Sequence, residues 1–154
     1  MLVPDNWPKD IKYSNTISKE SQKHLQSLEG VELKEIQDYN HILRGEIGLF
    51  AKRDWQPFEV IGGYCGILKK DIGGKYVAFA YYNKKGDKWC IDAELEGNET
   101  RFINDYRNIK SYPNVMFQKT NVNNKRVILI IVIKEIKEGD EILSDYGETY
   151  WENI

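Results

Sequence analysis

Residues 92–104 read DAELEGNETRFIN, and two stretches answer them downstream: Pro113–Asn114, and residues 136–147, IKEGDEILSDYG. Taken singly, each is ordinary. Asn104, after Phe102–Ile103, reads as a turn residue that ends a strand. Tyr146, in an Asp-Tyr-Gly turn after a short apolar run, reads as a packed aromatic with its hydroxyl satisfied. Asp92, Glu94, Glu96 and Glu99 read either as a solvated acidic face or as a surface that receives and steers a basic peptide.

Outward from these stretches the punctuation is β. Ile47–Ala51, Glu59–Ile67, Tyr76–Tyr82, Lys88–Asp92, Asn114–Lys119, Arg126–Lys134 and Glu141–Leu143 are short runs of β-branched and aromatic residues. Gly, Asn and Asp separate them, and Asn121–Asn124 fits the tip of a hairpin. Arg126–Lys134 is apolar at almost every position, which predicts a strand buried on both faces. Strands do not alternate regularly with helices, so a doubly wound parallel sheet is not expected. The N-terminal part differs. Ser18–Gly30 has Ser18 as an N-cap, Leu25 and Leu28 three apart, and Gly30 as a stop, which predicts a short amphipathic helix. The expected organisation is an N-terminal helical extension, 1–32, and one β-rich domain, 33–154.

Composition narrows the function. The chain has 154 residues, a net charge of −2 and 41% hydrophobic residues. A free nucleic-acid binder is usually basic, so direct nucleic-acid binding is not expected. No apolar run approaches the roughly 20 residues that span a bilayer, so no membrane partner is expected. The N-terminus lacks the pattern of a signal peptide, which predicts a soluble cytoplasmic or nuclear protein. Two cysteines, Cys65 and Cys90, make neither a zinc site nor a disulfide scaffold. They read as small buried hydrophobes, and no metal site is expected. His24 and His41 have no partner pattern and read as surface residues.

Two more stretches complete a pattern: Gly45–Ala51, GEIGLFA, and Tyr64–Gly66, YCG. In this order, with RFIN, PN and DYG, the set resembles the SET domain of protein-lysine methyltransferases over residues 33–151. The resemblance implies a mostly β fold of several small sheets with short helices, and a pseudoknot-like threading of the C-terminal segment under the Asn104–Asn114 loop. It implies S-adenosylmethionine as cofactor, held by Gly45, Glu46, Ile47, Gly48, Asn104 and Asp105, with Trp151 or Tyr150 stacking on adenine. It assigns the catalytic position to Tyr146, with Tyr64 and Phe117 as walls of the substrate channel. The implied partner is a protein that presents a lysine, a histone tail being one candidate. A catalytically silent SET-like module that binds a peptide or partner stays open as the alternative.

Lysine methylation explains the residue types. The amine must carry a lone pair, yet free lysine has a pKa of about 10.4. A narrow, dry, aromatic-lined channel disfavours the ammonium form, and a nearby sulfonium lowers the pKa further. The channel also sets attack distance, so positioning meets much of the barrier. Aromatic walls tolerate cationic and methylated amines alike.

The chain departs from the family pattern in five respects. The glycine turn reads Gly45-Glu46-Ile47-Gly48. Asp105 stands where the pattern has histidine, and four extra residues precede Pro113–Asn114. No cysteine-rich segment follows residue 147 to build a zinc-bound lid, so closure falls to Tyr150, Trp151 and the last residues, or to the N-terminal extension. Ser144 occupies a position that is Phe or Tyr in many members. Its short side chain predicts a roomier channel that accepts more than one methyl.

Overall fold

The computed structural model describes residues 3–15, 28–122 and 124–147. Among the described residues, twelve short strands build five small sheets. The central one joins β10 (Val115–Val122), β11 (Lys125–Val132) and β4 (Val60–Gly63) in the order β10-β11-β4. Its middle strand is the apolar run singled out above. Val127, Ile128, Ile130 and Val132 are all buried there, because β11 has a partner on each edge and packed side chains on each face. Truncating a fully buried residue such as Ile130 to alanine costs about 2–5 kcal/mol.

The predicted strand Glu59–Ile67 is two strands. β4 ends at Gly63, and β5 (Ile67–Lys70) joins a second sheet, β5-β7-β6, with β6 Val77–Tyr82 and β7 Lys88–Asp92. The chain changes sheets through Tyr64–Gly66. A Cβ at Gly66 would lie 2.4 Å from the Asp92 carbonyl oxygen, so only glycine lets the two backbones approach this closely. The hairpin between β10 and β11 is tighter than predicted. The strands run on to Val122 and from Lys125, and Asn124 takes a φ of 64°, which asparagine tolerates.

The remaining sheets are pairs. β2 (Val31–Glu35) lies antiparallel to β3 (Ile47–Ala51), β1 (Lys12–Tyr13) parallel to β8 (Glu96–Gly97), and β12 (Leu143–Ser144) parallel to β9 (Asn104–Asp105). Residues on both sides of the 32/33 division share β2. A 3-10 turn, Glu99–Phe102, opens on Asn98, whose side chain accepts the Thr100 amide. The predicted helix Ser18–Gly30 falls almost wholly on residues 16–27, outside the described residues, and residues 28–30 are not helical. Among the described residues no helix is long and apolar enough to cross a membrane.

Leu49, Ile61, Val115, Ile128, Ile130, Val132, Ile136 and Ile142 form one buried cluster that draws on most of these elements. It holds the small sheets in fixed relation, and the candidate site lies where three of them meet.

Candidate functional site

Residues 141–146 are bonded on both flanks. On one side β12 pairs with β9, and the Tyr106 amide donates to the Ser144 carbonyl at 2.9 Å. On the other, Asn114 replaces a strand. Its backbone amide donates to the Leu143 carbonyl (3.0 Å). Its side chain accepts the Leu143 amide (2.8 Å) and donates to the Glu141 carbonyl (2.9 Å). RFIN, PN and DYG therefore meet, with the C-terminal segment running between Asn104–Asp105 and Asn114. Tyr146 comes to rest beside β9. Its amide donates to Asp105 Oδ1 (2.7 Å) and its hydroxyl to the Ile103 carbonyl (2.6 Å).

One cluster forms behind Asn104. The Asn104 amide donates to Glu141 Oε2 (3.0 Å) and reaches the Ile47 carbonyl at 3.5 Å, so the 45–48 turn and Asn104 are neighbours. Gly48 leaves room there for the Glu141 carboxylate, which a Cβ would meet at 2.9 Å. Gly45 has a φ of +92° with open space where a side chain would project. The other Glu141 oxygen meets His41 Nε2 at 2.6 Å, with both side chains at least nine-tenths buried. His41 is thus no surface residue. Its Nδ1 accepts the Leu43 amide (3.0 Å), which leaves the proton on Nε2 and makes it the donor to Glu141. Histidine and carboxylate are 100 residues apart, a pairing that no local spacing signals.

A cavity of about 500 Å³ opens on the other side of Tyr146, with walls that include Tyr64, Tyr76, Phe79, Phe117 and Ile103. Tyr64 and Phe117 are 5.2 Å apart at their ring centroids, and the Tyr64 hydroxyl donates to the Tyr76 carbonyl at 2.5 Å. Burial, reinforced by Tyr146, pushes the Tyr64 phenol well above its ordinary pKa, so it stays a protonated donor. Ser144 also lines the cavity and is almost wholly buried; its hydroxyl has no hydrogen-bond partner among the described residues. Arg101 closes the inner wall. It is buried, its guanidinium lies 4.0 Å from the Tyr76 ring centroid, and Nε donates to the Ala93 carbonyl (2.7 Å). Among the described residues no carboxylate lies within ion-pair distance of it.

Asp105 is buried and gives its carboxylate to the chain itself. Besides the Tyr146 amide it accepts the Arg107 amide and Arg107 Nη1, each at 2.9 Å. The same Nη1 reaches Asp145 Oδ1 at 2.9 Å. The residue that replaces the expected histidine, together with the first part of the insertion, thus clamps both sides of the Tyr146 turn.

Three of the four acidic residues of the stretch 92–99 are engaged within the fold, and Glu94 stays exposed, with no ion pair among the described residues. Glu99 is buried and accepts from the Tyr13 hydroxyl and the Leu28 amide. Asp92 is buried against Lys69 at 2.6 Å, and Glu96 faces Lys12. Cys65 and Cys90 are buried as expected. Trp151 and Tyr150 lie outside the described residues. Sequence reasoning missed His41, Glu141, Tyr76, Phe79 and the clamp role of Arg107. The one available signal was the run of aromatics in Tyr76–Tyr82, more than a strand edge needs.

The fold and this junction are those of a SET domain. The SET domain family profile matches residues 46–147, and the chain belongs to that family. It is 25% identical to the histone-lysine N-methyltransferase set-1 of Caenorhabditis elegans, across 93% of this chain and 64% of that protein. It is 28% identical to human histone-lysine N-methyltransferase 2B, across 70% of this chain and 4% of that protein. Among solved structures, the Chaetomium thermophilum Polycomb Repressive Complex 2 bound to GSK126 aligns with a TM-score of 0.60 at 25% identity, covering 79% of this chain and 16% of that one. The S-adenosylmethionine-bound, autoinhibited form of ctPRC2 aligns with a TM-score of 0.59 at 27% identity, covering 79% and 15%. The chain thus spans less than two thirds of each of these relatives.

Proposed function

We propose that this chain is an S-adenosylmethionine-dependent protein-lysine N-methyltransferase, with Tyr146 as its catalytic residue. The observation that carries the reading is the position of Tyr146. It stands between an aromatic cavity and the Asn104–Gly48 cluster, with its hydroxyl held at Ile103.

The residues of that cluster suit the cofactor. The turn 45–48 offers open backbone at Gly45, next to the half-buried Asn104 amide. Gly45, Glu46, Ile47, Gly48, Asn104 and the backbone at Asp105 would hold it, and Trp151, outside the described residues, is the aromatic that the family resemblance offers to its adenine. When bound, S-adenosylmethionine supplies an electrophilic methyl group on a sulfonium. The chain does the rest by placement. Tyr64, Phe117 and Tyr146 exclude water and hold the lysine chain along one axis. The hydroxyls of Tyr64 and Tyr146 and the Ile103 carbonyl orient the amine. Arg101, a buried cation in the wall, disfavours the ammonium form of the incoming lysine, as like charges do. Tyr64 is held as a protonated donor and cannot take the amine's proton, so the lysine would leave that proton to solvent and enter the channel neutral.

Histones are the first substrates to assay, since the relatives are named for them, and a chromatin substrate implies a nuclear site of action. A calorimetric titration with S-adenosylmethionine, followed by methyl transfer to mixed histones and to whole lysate, tests the reading. Binding and transfer support it. Binding without transfer to any protein overturns it in favour of a silent peptide-binding module.

A further inference from the structure

The mouth of the cavity is positively charged. Lys75, Lys88 and Lys119 line it, all exposed, and all three stand over its aromatic wall. Lys119 Nζ is 4.4 Å from the Phe79 ring centroid, Lys88 Nζ 5.4 Å from the same ring, and Lys75 Nζ 5.3 Å from the Tyr76 ring. Two carboxylates also line the cavity, and both are engaged. Asp71 pairs with Lys88 at 3.3 Å and accepts the Gly73 amide, and Asp145 pairs with Arg107 and accepts the Gly147 amide. Lys75 and Lys119 have no carboxylate partner among the described residues, and Arg101 adds a buried cation deeper in the wall, within electrostatic reach of Asp92 but without an ion pair among the described residues.

This arrangement is a poor receiver for a lysine embedded in basic sequence. Each flanking cation would meet Lys75 or Lys119. Of the acidic stretch 92–99, Asp92, Glu96 and Glu99 are spent on Lys69, Lys12, Tyr13 and Leu28, and the exposed Glu94 is not part of the cavity lining. A residue of opposite sign beside the target lysine would pair with the rim, while the lysine alone enters between the rings. We propose that the cavity selects a lysine flanked by an anionic residue, held at the mouth by Lys75 and Lys119. The proposal rests on the reading of this cavity as the lysine channel. It concerns which lysines are chosen, in histones or in other proteins. The anion is either a carboxylate side chain or a phosphorylated one, since both offer acceptor oxygens to an ammonium.

Four peptides test it, identical except that the residues flanking the lysine are glutamate, phosphoserine, glutamine or lysine. Binding is read by fluorescence anisotropy with norleucine at the target position, so that it does not depend on turnover. Methyl transfer is read separately on the lysine forms. Two exposed ion pairs predict about fivefold tighter binding of the glutamate peptide than of the glutamine peptide. Binding should be weakest for the lysine-flanked peptide, and the differences should shrink at high salt. A larger gain for phosphoserine than for glutamate identifies the doubly charged source; equal gains identify the carboxylate. The double variant Lys75→Glu, Lys119→Glu should invert the order. Equal binding of the glutamate and glutamine peptides, or an order that survives the double reversal, overturns the proposal. Methyl transfer without any charge preference would end this inference and leave the methyltransferase reading intact. A charge preference without transfer to any peptide would do the opposite.

Discussion

His41 and Glu141 share a short hydrogen bond of 2.6 Å, buried behind Asn104. The bond fixes the carboxylate that in turn accepts from Asn104. In His41→Ala the carboxylate keeps its burial and loses a donor, which should lower folding stability by about 1–3 kcal/mol. It should also weaken S-adenosylmethionine binding, because Asn104 is no longer held from behind. Urea unfolding and calorimetry check both. If midpoint and affinity match the parent, the His41–Glu141 support for Asn104 has no energetic weight.

Tyr146→Phe keeps the ring and removes the hydroxyl that donates to Ile103. The variant should fold, bind cofactor nearly as well as the parent, and lose methyl transfer by roughly 10²-fold, the scale of one missing aligned donor. Turnover within twofold of the parent would remove Tyr146 from the catalytic role.

Asp105→Asn leaves an acceptor for the Tyr146 amide and removes the charge that holds Arg107. Hydrogen bonds to charged groups contribute about 1.5–3 kcal/mol, so stability should fall by an amount near that range. With the Tyr146 turn loosened, kcat should drop while KM for the peptide stays near the parent value. A change confined to KM would show that the clamp serves peptide binding instead.

Ser144 puts a short, buried side chain in the cavity wall next to Tyr146 in the lining, and Phe117, also in that wall, brings no hydroxyl. The parent should add more than one methyl to a peptide lysine at saturating cofactor, and Ser144→Tyr should push the product toward monomethyl. Mass spectrometry of the reacted peptide decides; monomethyl product alone from the parent, even at long times, would sink the idea.

The pair of Asp92 with Lys69 makes stability depend on pH. Burial raises the Asp92 carboxyl, but Lys69 and the Glu94 amide outweigh it, and the pKa ends below the ordinary carboxylate value. A group depressed in the folded state contributes stability above its unfolded pKa and loses it as pH falls toward the folded one. Unfolding midpoints should therefore decline below about pH 4, and Asp92→Asn should flatten that decline. An identical slope in the variant would assign the acid sensitivity elsewhere.

The strands were legible where one face or both faces of the sheet are buried. Ile47–Ala51 and Lys88–Asp92 have the bounds that alternation and β-branching predicted, and β11 reads as the sheet's middle because it is one. Two-residue pairings such as Asn104–Asp105 with Leu143–Ser144 carry no periodicity, so they showed only through the resemblance. Side chains that act across the fold were hidden for the same reason. His41 gave no sign of Glu141, and the substitution of aspartate for histidine at 105 looked like a loss until Arg107 stood beside it. Charge misled as well. The acidic run 92–99 is conspicuous in the sequence, but folding commits Asp92, Glu96 and Glu99 to separate partners and leaves only Glu94 exposed, while the lysines that matter at the cavity come from three different strands and loops.

The bond from Tyr146 to Ile103 joins residues 43 apart in sequence, and the segment that carries Tyr146 is held between β9 and Asn114. Such contacts close only after the intervening chain, including the whole β10–β11 hairpin, has condensed, and non-local closures of this kind slow folding. The junction is therefore completed in the last steps of folding. A partly folded chain has the hairpins but not the site, so gain of cofactor affinity and arrival at the native state should share a single rate constant.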